Sequence, residues 1–237
     1  MVRRAYKRDI KLIMKHPTIR PRDAATLALI RHDGGRACVL MGQRGKSQAF
    51  MPERYVFPGG GVEGCDRYVR PASELTDNVW DRVSRNCAPS RARALAAAAI
   101  RETFEETGLM LAAPSDPPIG KVRPEWQGFH ERGLAPALDK LDYIYRAVTP
   151  PGLPRRFNAR FFMAYGDDLH GEIKGNGELH DIGWVPISEA LKMPIPHITG
   201  VVLGQIKKIL ADPASRKQAK TTPFLRHVGD EYIIKME

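Results

Sequence analysis

Residues 91–108, RARALAAAAIRETFEETG, constrain the fold more than any other stretch of this chain. Nearly all are strong helix formers, Ser90 ahead of them is a good N-cap, and Gly108 is a natural stop. The spacing therefore predicts one helix over about 91–107. On it, Glu102, Glu105 and Glu106 stand at i, i+3 and i+4, which crowds three carboxylates onto one face. Like charges at that spacing destabilise a helix and raise one another's proton affinity. A divalent cation resolves the conflict, and hard ions such as Mg²⁺ or Mn²⁺ prefer carboxylate oxygens. Arg101, at the head of the group, can orient a carboxylate through two parallel hydrogen bonds. Glu-rich helical faces are also commonly solvated surface, so this run alone assigns no site.

Around this helix the apolar pattern is that of a sheet. Residues 24–31 and 37–41 read as strands joined at Asp33-Gly34-Gly35, and further strand signals fall at 143–148, 159–165 and 182–185. Pro52 and Pro58 mark corners of a loop over 43–60. The stretch 112–140, rich in Pro and Gly, reads as a long excursion with little regular structure. Residues 188–193 read as a short helix and 198–211 as an amphipathic one. Strands on either side of one long helix, with another helix near the end, imply an α/β fold whose mixed sheet is covered on both faces. Strand order stays open at this level.

The chain has 237 residues, enough for one elaborated domain. Its 37 Lys and Arg against 27 Asp and Glu give a formal charge of +10. Residues 1–22 hold eight basic side chains against Asp9, and 207–226 hold six against Asp212, whereas 23–206 carry 22 of each sign. The excess therefore belongs to the ends. A nucleic-acid binder would carry a basic stripe with interleaved aromatics on its folded body, so solvated surface charge is the better reading and nucleic acid is an unlikely partner. No apolar run approaches the roughly 18–20 residues of a bilayer span, so no membrane association is expected. Cys38, Cys65 and Cys87 are odd in number and form no C-x-x-C pair, which suits a reducing compartment and points to the cytoplasm. The division expected is a basic segment 1–22, a domain 23–211 and a tail 212–237.

Upstream of the helix lies Tyr55-Val56-Phe57-Pro58-Gly59-Gly60-Gly61-Val62-Glu63, whose glycines let backbone approach a metal or a phosphate closely. Together the two segments resemble the Nudix box, which runs Gly, five residues, Glu, seven residues, Arg-Glu, an apolar residue, any residue, Glu-Glu, any residue, Gly and an apolar residue. Gly60 matches its first Gly and residues 101–109 its second half, with Thr103 in an apolar slot. Asp66 replaces the first Glu, and the seven-residue spacer has become 67–100, an insertion of 27 residues, most of it over 67–90. A loop-to-helix junction can absorb such a length because loop closure grows costly only slowly. The interrupted box is similar to that of a Nudix subgroup containing peroxisomal coenzyme A diphosphatases and bacterial relatives. Residues 20–26, 50–52, 155–162, 178–179 and 183–186 are also similar to segments of that subgroup. Glu53 stands where the broader coenzyme A diphosphatase signature has Gly.

This resemblance implies a Nudix-type α/β/α sandwich with a loop-helix-loop catalytic motif. It implies a metal-dependent diphosphatase (pyrophosphohydrolase) acting on a nucleoside diphosphate derivative, such as coenzyme A or an acyl-coenzyme A, with NADH or ADP-ribose as alternatives. Glu102, Glu105, Glu106 and the Gly60 carbonyl would hold Mg²⁺ or Mn²⁺, and Arg101 and Asp66 would support them. The general base is open between Glu102 and Glu178. Arg44, Arg156 and Arg160 are candidate phosphate contacts, each equally able to serve in an ion pair. His180 reads as surface, Trp80 as a packing anchor, and Met41, Phe50 and Met51 as core or pocket wall. The insertion is a candidate for mediating a homodimer. A non-catalytic nucleotide- or nucleic-acid-binding module and a Nudix-fold isomerase are the readings from other classes. The isomerase would need an acid/base pair for carbon chemistry, and none is evident.

Overall fold

The computed structural model describes residues 19–48, 51–117, 121–167, 169–228 and 231–237; Phe50 and most of the basic segment 1–22 lie outside these. The elements in chain order are β1 (Arg22–Asp33), β2 (Arg36–Arg44), β3 (Tyr55–Val56), β4 (Gly59–Gly61), α1 (Asp77–Ser84), α2 (Pro89–Thr107) and β5 (Met110–Pro114). They continue with α3 (Pro124–His130), β6 (Leu134–Pro136), β7 (Asp142–Val148), β8 (Phe157–Tyr165), β9 (Leu169–His170) and β10 (Leu179–Pro186). Last come α4 (Ile187–Ala190), α5 (His197–Ala211), α6 (Pro213–Gln218), β11 (Pro223–Val228) and β12 (Glu231–Met236).

The main sheet runs β10-β2-β1-β8-β7-β11-β12, with β3 added to β2 and β4 to β1. It is mixed: β1 pairs parallel with β8 and β7 with β11, while the other pairs are antiparallel. Alternation along β1 sends Ala25, Leu27 and Leu29 to one face and Ala28 and Ile30 to the other. The first face receives α2, whose Ala96 to Ala99 run is fully buried and lets the helix lie close against Leu27, Phe162 and Ala164. The second receives α5 through Val202, Leu203 and Ile206, packed with Val39 and Met41. Helix on sheet on helix is the expected α/β/α sandwich.

Four expectations change. Helix α2 starts at Pro89 with Ala88 in the cap position, because Pro at the first turn lacks only an N–H that would have no helical partner; Ser90 is already helical. The excursion 112–140 contains β5, α3 and β6, and it is held by Trp126 and Phe129, both buried, with Phe129 edge-on to Phe104 at 5.1 Å. The short helix expected at 188–193 is the single turn Ile187–Ala190. Residues 212–237 are no tail: β11 and β12 extend the main sheet beyond β7, since β11 offers β7 its backbone and Leu225 fills the second core.

The insertion is built into this frame. Val79 and Val83 of α1 are buried in the α2-side core, and Trp80 packs against it as expected. Arg82 reaches across to β7, donating to Asp142 Oδ1 at 2.7 Å, to Thr222 Oγ1 at 3.2 Å and to the Tyr143 carbonyl. Arg216 of α6 binds the other oxygen of Asp142 at 2.8 Å. The carboxylate of Glu237 accepts from Arg146 at 2.8 Å, Asn86 at 3.0 Å and the Tyr143 hydroxyl at 3.2 Å. Insertion, sheet and C-terminal segment thus share one polar network. Breaking a buried ion pair costs about 3–5 kcal/mol, and Arg82→Met should fall at about 3 kcal/mol because Arg216 still holds Asp142. Urea unfolding measures this, and hydrogen exchange in β11 should accelerate with it. A loss below about 1 kcal/mol would show that the network does not hold the C-terminal segment.

Candidate functional site

Helix α2 carries Arg101, Glu102, Glu105 and Glu106, and β4 with the 3₁₀ turn Cys65–Arg67 lies against it. Arg101 is buried, and every arm of its guanidinium is engaged. Its Nε and Nη2 donate to the two oxygens of Asp66 at 2.8 and 3.1 Å, and Nη2 also donates to the Gly61 carbonyl at 2.9 Å. Its Nη1 lies 3.0 Å from Glu102 Oε1 and 2.9 Å from Glu105 Oε2. Asp66, fully buried, also accepts the Glu63 amide at 2.7 Å. The shorter carboxylate in the box therefore reaches its arginine across the long spacer.

Gly59 donates its amide to Glu106 Oε2 at 2.9 Å. Gly60 lies so close to the helix that a Cβ there would come within 2.5 Å of the Glu102 carboxylate, which is why glycine is needed at this place. At the far end, Gly108 adopts φ +77° and closes the helix by donating to the Phe104 carbonyl at 2.8 Å. Thr103 occupies its apolar slot without loss because its hydroxyl donates to the Ala99 carbonyl at 2.7 Å.

Burial raises the proton affinity of all three glutamates. Glu102 is pushed up to about 7 by desolvation, with Arg101 opposing and Glu105 adding. Glu106 is pushed up to about 8 by desolvation, opposed by the Gly59 amide and raised further by Glu102 and Glu178, while the charge of Arg44 acts the other way. Glu105 is raised by burial against the pull of Arg101. Glu178 and Arg44, far from α2 in sequence, are thus close enough to act on Glu106. Three carboxylates that resist ionisation, beside a glycine backbone that only a side-chain-free residue permits, fit a hard divalent cation.

Arg44 donates to Gln48 Oε1 at 2.9 Å. The other two candidate phosphate arginines are not brought to the cluster. Arg156 donates to the carbonyls of Thr149 and Ile19, at 3.0 and 2.7 Å. Arg160 is buried 3.5 Å from Asp23, which also pairs with Arg91 in the first turn of α2. From Arg91 to Glu102 is about 16 Å along a helix axis. His180 is exposed, as expected for surface.

Two features were not visible in the sequence. Tyr55 donates its hydroxyl to Asp181 Oδ2 at 2.5 Å, tying β3 to the strand that carries Glu178's neighbour Leu179. Asp181 has φ +47°, where β10 shifts register against β2, and no local motif announces such a bulge. The second is Glu63, Cys65 and Glu125, whose ligand atoms lie within 4.8 Å of one another. Among the described residues this set, and not the α2 trio, meets that spacing; Glu102 and Glu105 are each paired with Arg101 Nη1 instead.

Residues 90–202 match the family model of the NUDIX domain. The matched region begins within the long spacer, after the first half of the box. A Caenorhabditis elegans relative whose assigned name, nudix hydrolase 7, is provisional is 26% identical over 163 residues, which are 65% of this chain and 48% of that protein. The chain thus spans about half the length of the curated relative it matches. The crystal structure of a NUDIX hydrolase from Alicyclobacillus acidocaldarius superposes with a TM-score of 0.63 at 27% identity, covering 85% of this chain and 97% of that one. The chain adopts the fold of that NUDIX hydrolase, and residues 90–202 are similar to the NUDIX domain, whose hydrolases as a class use divalent metal ions.

Raised carboxylates give a definite pH dependence. Without metal, Glu102 and Glu106 keep their protons in the folded state from about pH 4.5 to 7 and 8 respectively, while the unfolded chain has lost them. The folded state then binds more protons, so their contribution to stability is full below pH 4.5 and is lost as pH rises through that window. In the metal-free protein Glu106→Gln should flatten the decline of melting temperature between acid and mildly alkaline pH. An unchanged slope would contradict the assigned protonation. Gly60→Ala should displace Glu102 and weaken divalent-ion affinity about tenfold or more, read by titration calorimetry.

Proposed function

We propose that this chain is a Nudix-type diphosphatase that hydrolyses the diphosphate linkage of a nucleoside diphosphate derivative, with coenzyme A or an acyl-coenzyme A as first candidates. The observation that carries this reading is the Asp66–Arg101 pair, which joins the glycine loop to the three carboxylates of α2 across the spacer. NADH and ADP-ribose are the competing substrates of the same chemistry.

Glu102, Glu105, Glu106 and the backbone of Gly60 would hold Mg²⁺ or Mn²⁺. When bound, such an ion neutralises diphosphate oxygens and lowers the pKa of water. Arg101 restrains Glu102 and Glu105 at fixed separation, and the Gly59 amide does the same for Glu106. Arg44 is the arginine best placed to meet a phosphate, because its charge already acts on Glu106. For the proton transfer, Glu102 has an affinity near neutrality and Glu178 approaches Glu106 from the opposing strand end. The reaction belongs in the cytoplasm on this reading, consistent with Cys38, Cys65 and Cys87 all being free thiols.

The test is a screen of coenzyme A, acyl-coenzyme A, NADH, ADP-ribose and nucleoside triphosphates with and without Mg²⁺ or Mn²⁺. One diphosphate should be cleaved only with metal, and Glu105→Gln should lower kcat/KM about 100-fold or more. No hydrolysis of any of them, or full activity in Glu105→Gln, defeats the proposal. Comparing Glu102→Gln with Glu178→Gln separates the two bases, since the base variant loses kcat and the acidic limb of its pH profile together.

A further inference from the structure

β12 ends the main sheet. One side pairs in unbroken register with β11 over six residues, and no strand among the described residues covers the other. An edge uncovered among the described residues is a template for another chain, and folded proteins usually blunt such an edge with a bulge, a proline or charged side chains such as Lys. β12, EYIIKM, has no bulge against β11 and no proline. It is also rigidly held, because Thr222 and Glu237 exchange both backbone hydrogen bonds, at 2.8 and 3.0 Å, beyond its last residue. Tyr232 joins the α5-side core, and Ile234 and Met236 follow at two-residue spacing on the same face. Those two side chains are 56% and 60% exposed.

The strand's charges point to its occupant. Glu231 and Lys235 are exposed and make no ion pair among the described residues. Two copies of β12 related by a two-fold axis normal to the sheet must run antiparallel and keep α5 on the same face. With the axis at Ile233, Glu231 of each copy faces the partner's Lys235, and Tyr232 faces the partner's Ile234. A shift of two residues along the edge separates both charged pairs while leaving the apolar stripe matched. The charges therefore select one register.

We propose that this chain forms a two-fold dimer through β12, centred on Ile233, continuing the main sheet from one copy into the next. Six residues a side make a small interface, so the association is reversible and concentration-dependent.

Sedimentation velocity over a concentration series tests it. The wild type should pass from monomer to dimer. Glu231→Lys and Lys235→Glu each replace two attractions by two repulsions, and each should weaken the dimer about tenfold or more. The double exchange Glu231→Lys with Lys235→Glu should restore it to within about threefold. Both residues are exposed, so folding is not at risk, and circular dichroism verifies this. Ile233→Cys should form an intermolecular disulfide on mild oxidation that the wild type does not form. A monomer at every concentration overturns the proposal. So does a dimer indifferent to both single reversals, or one that Ile233→Cys fails to cross-link, either of which would place the contact on another surface such as the insertion.

Discussion

The site depends on one buried guanidinium. Arg101 takes both oxygens of Asp66, the Gly61 carbonyl and one oxygen each from Glu102 and Glu105. Burial works against its charge, and the surrounding carboxylates outweigh that and hold it protonated. The arrangement fixes loop and helix relative to one another in every direction the fork of Arg can reach, which a lysine with a single ammonium could not do. It leaves Glu106 outside its grasp, held by the Gly59 amide instead. Burial raises the proton affinities of Glu102 and Glu106 despite this cation, so the cluster lacks the positive charge that would hold all its carboxylates ionised. That deficit is what a divalent ion would fill.

The same pair explains how the motif survives its interruption. Asp66 is positioned by its own turn, through the Glu63 amide, and Arg101 by the packing of α2. Neither anchor lies within residues 67–88, so the length of that stretch does not change their separation. The added residues supply their own fixings: valines of α1 in the core, and Arg82 at Asp142. An insertion that docks this way costs little in loop closure and adds surface to the sheet's far end. It also brings Asn86 to Glu237, joining the insertion to the strand pair that follows α6.

What was legible in the sequence had a local cause. The 3.6-residue period placed the glutamates on one face of α2, and Gly108 ended the helix where the left-handed conformation was needed. The glycine run announced a close approach, and Gly60 makes one. Legibility failed where the cause was distant. Arg156 and Arg160 had the right chemistry for phosphate, but backbone carbonyls and Asp23 hold them, and only the pairing of β8 with β1 brings Asp23 there. Helix α3 and its neighbouring strands were hidden by Pro and Gly, because Phe129, packed on Trp126, finds its other partner, Phe104, on α2. β11 and β12 looked like a tail since each is half exposed and is ordered by its neighbour in the sheet, β11 by β7 and β12 by β11, rather than by its own pattern.

The fold also bears on what a +10 formal charge can do for an anionic substrate. Within the neutral span 23–206, Arg82, Arg101 and Arg160 are buried and directed at carboxylates of the chain itself, so their charge is spent inside the protein. At the cluster, Glu178 and the α2 glutamates outnumber Arg44. On the proposed reading, the metal-free site, with Glu102 and Glu106 holding protons near neutral pH, offers a diphosphate little attraction, and a bound divalent ion would supply it.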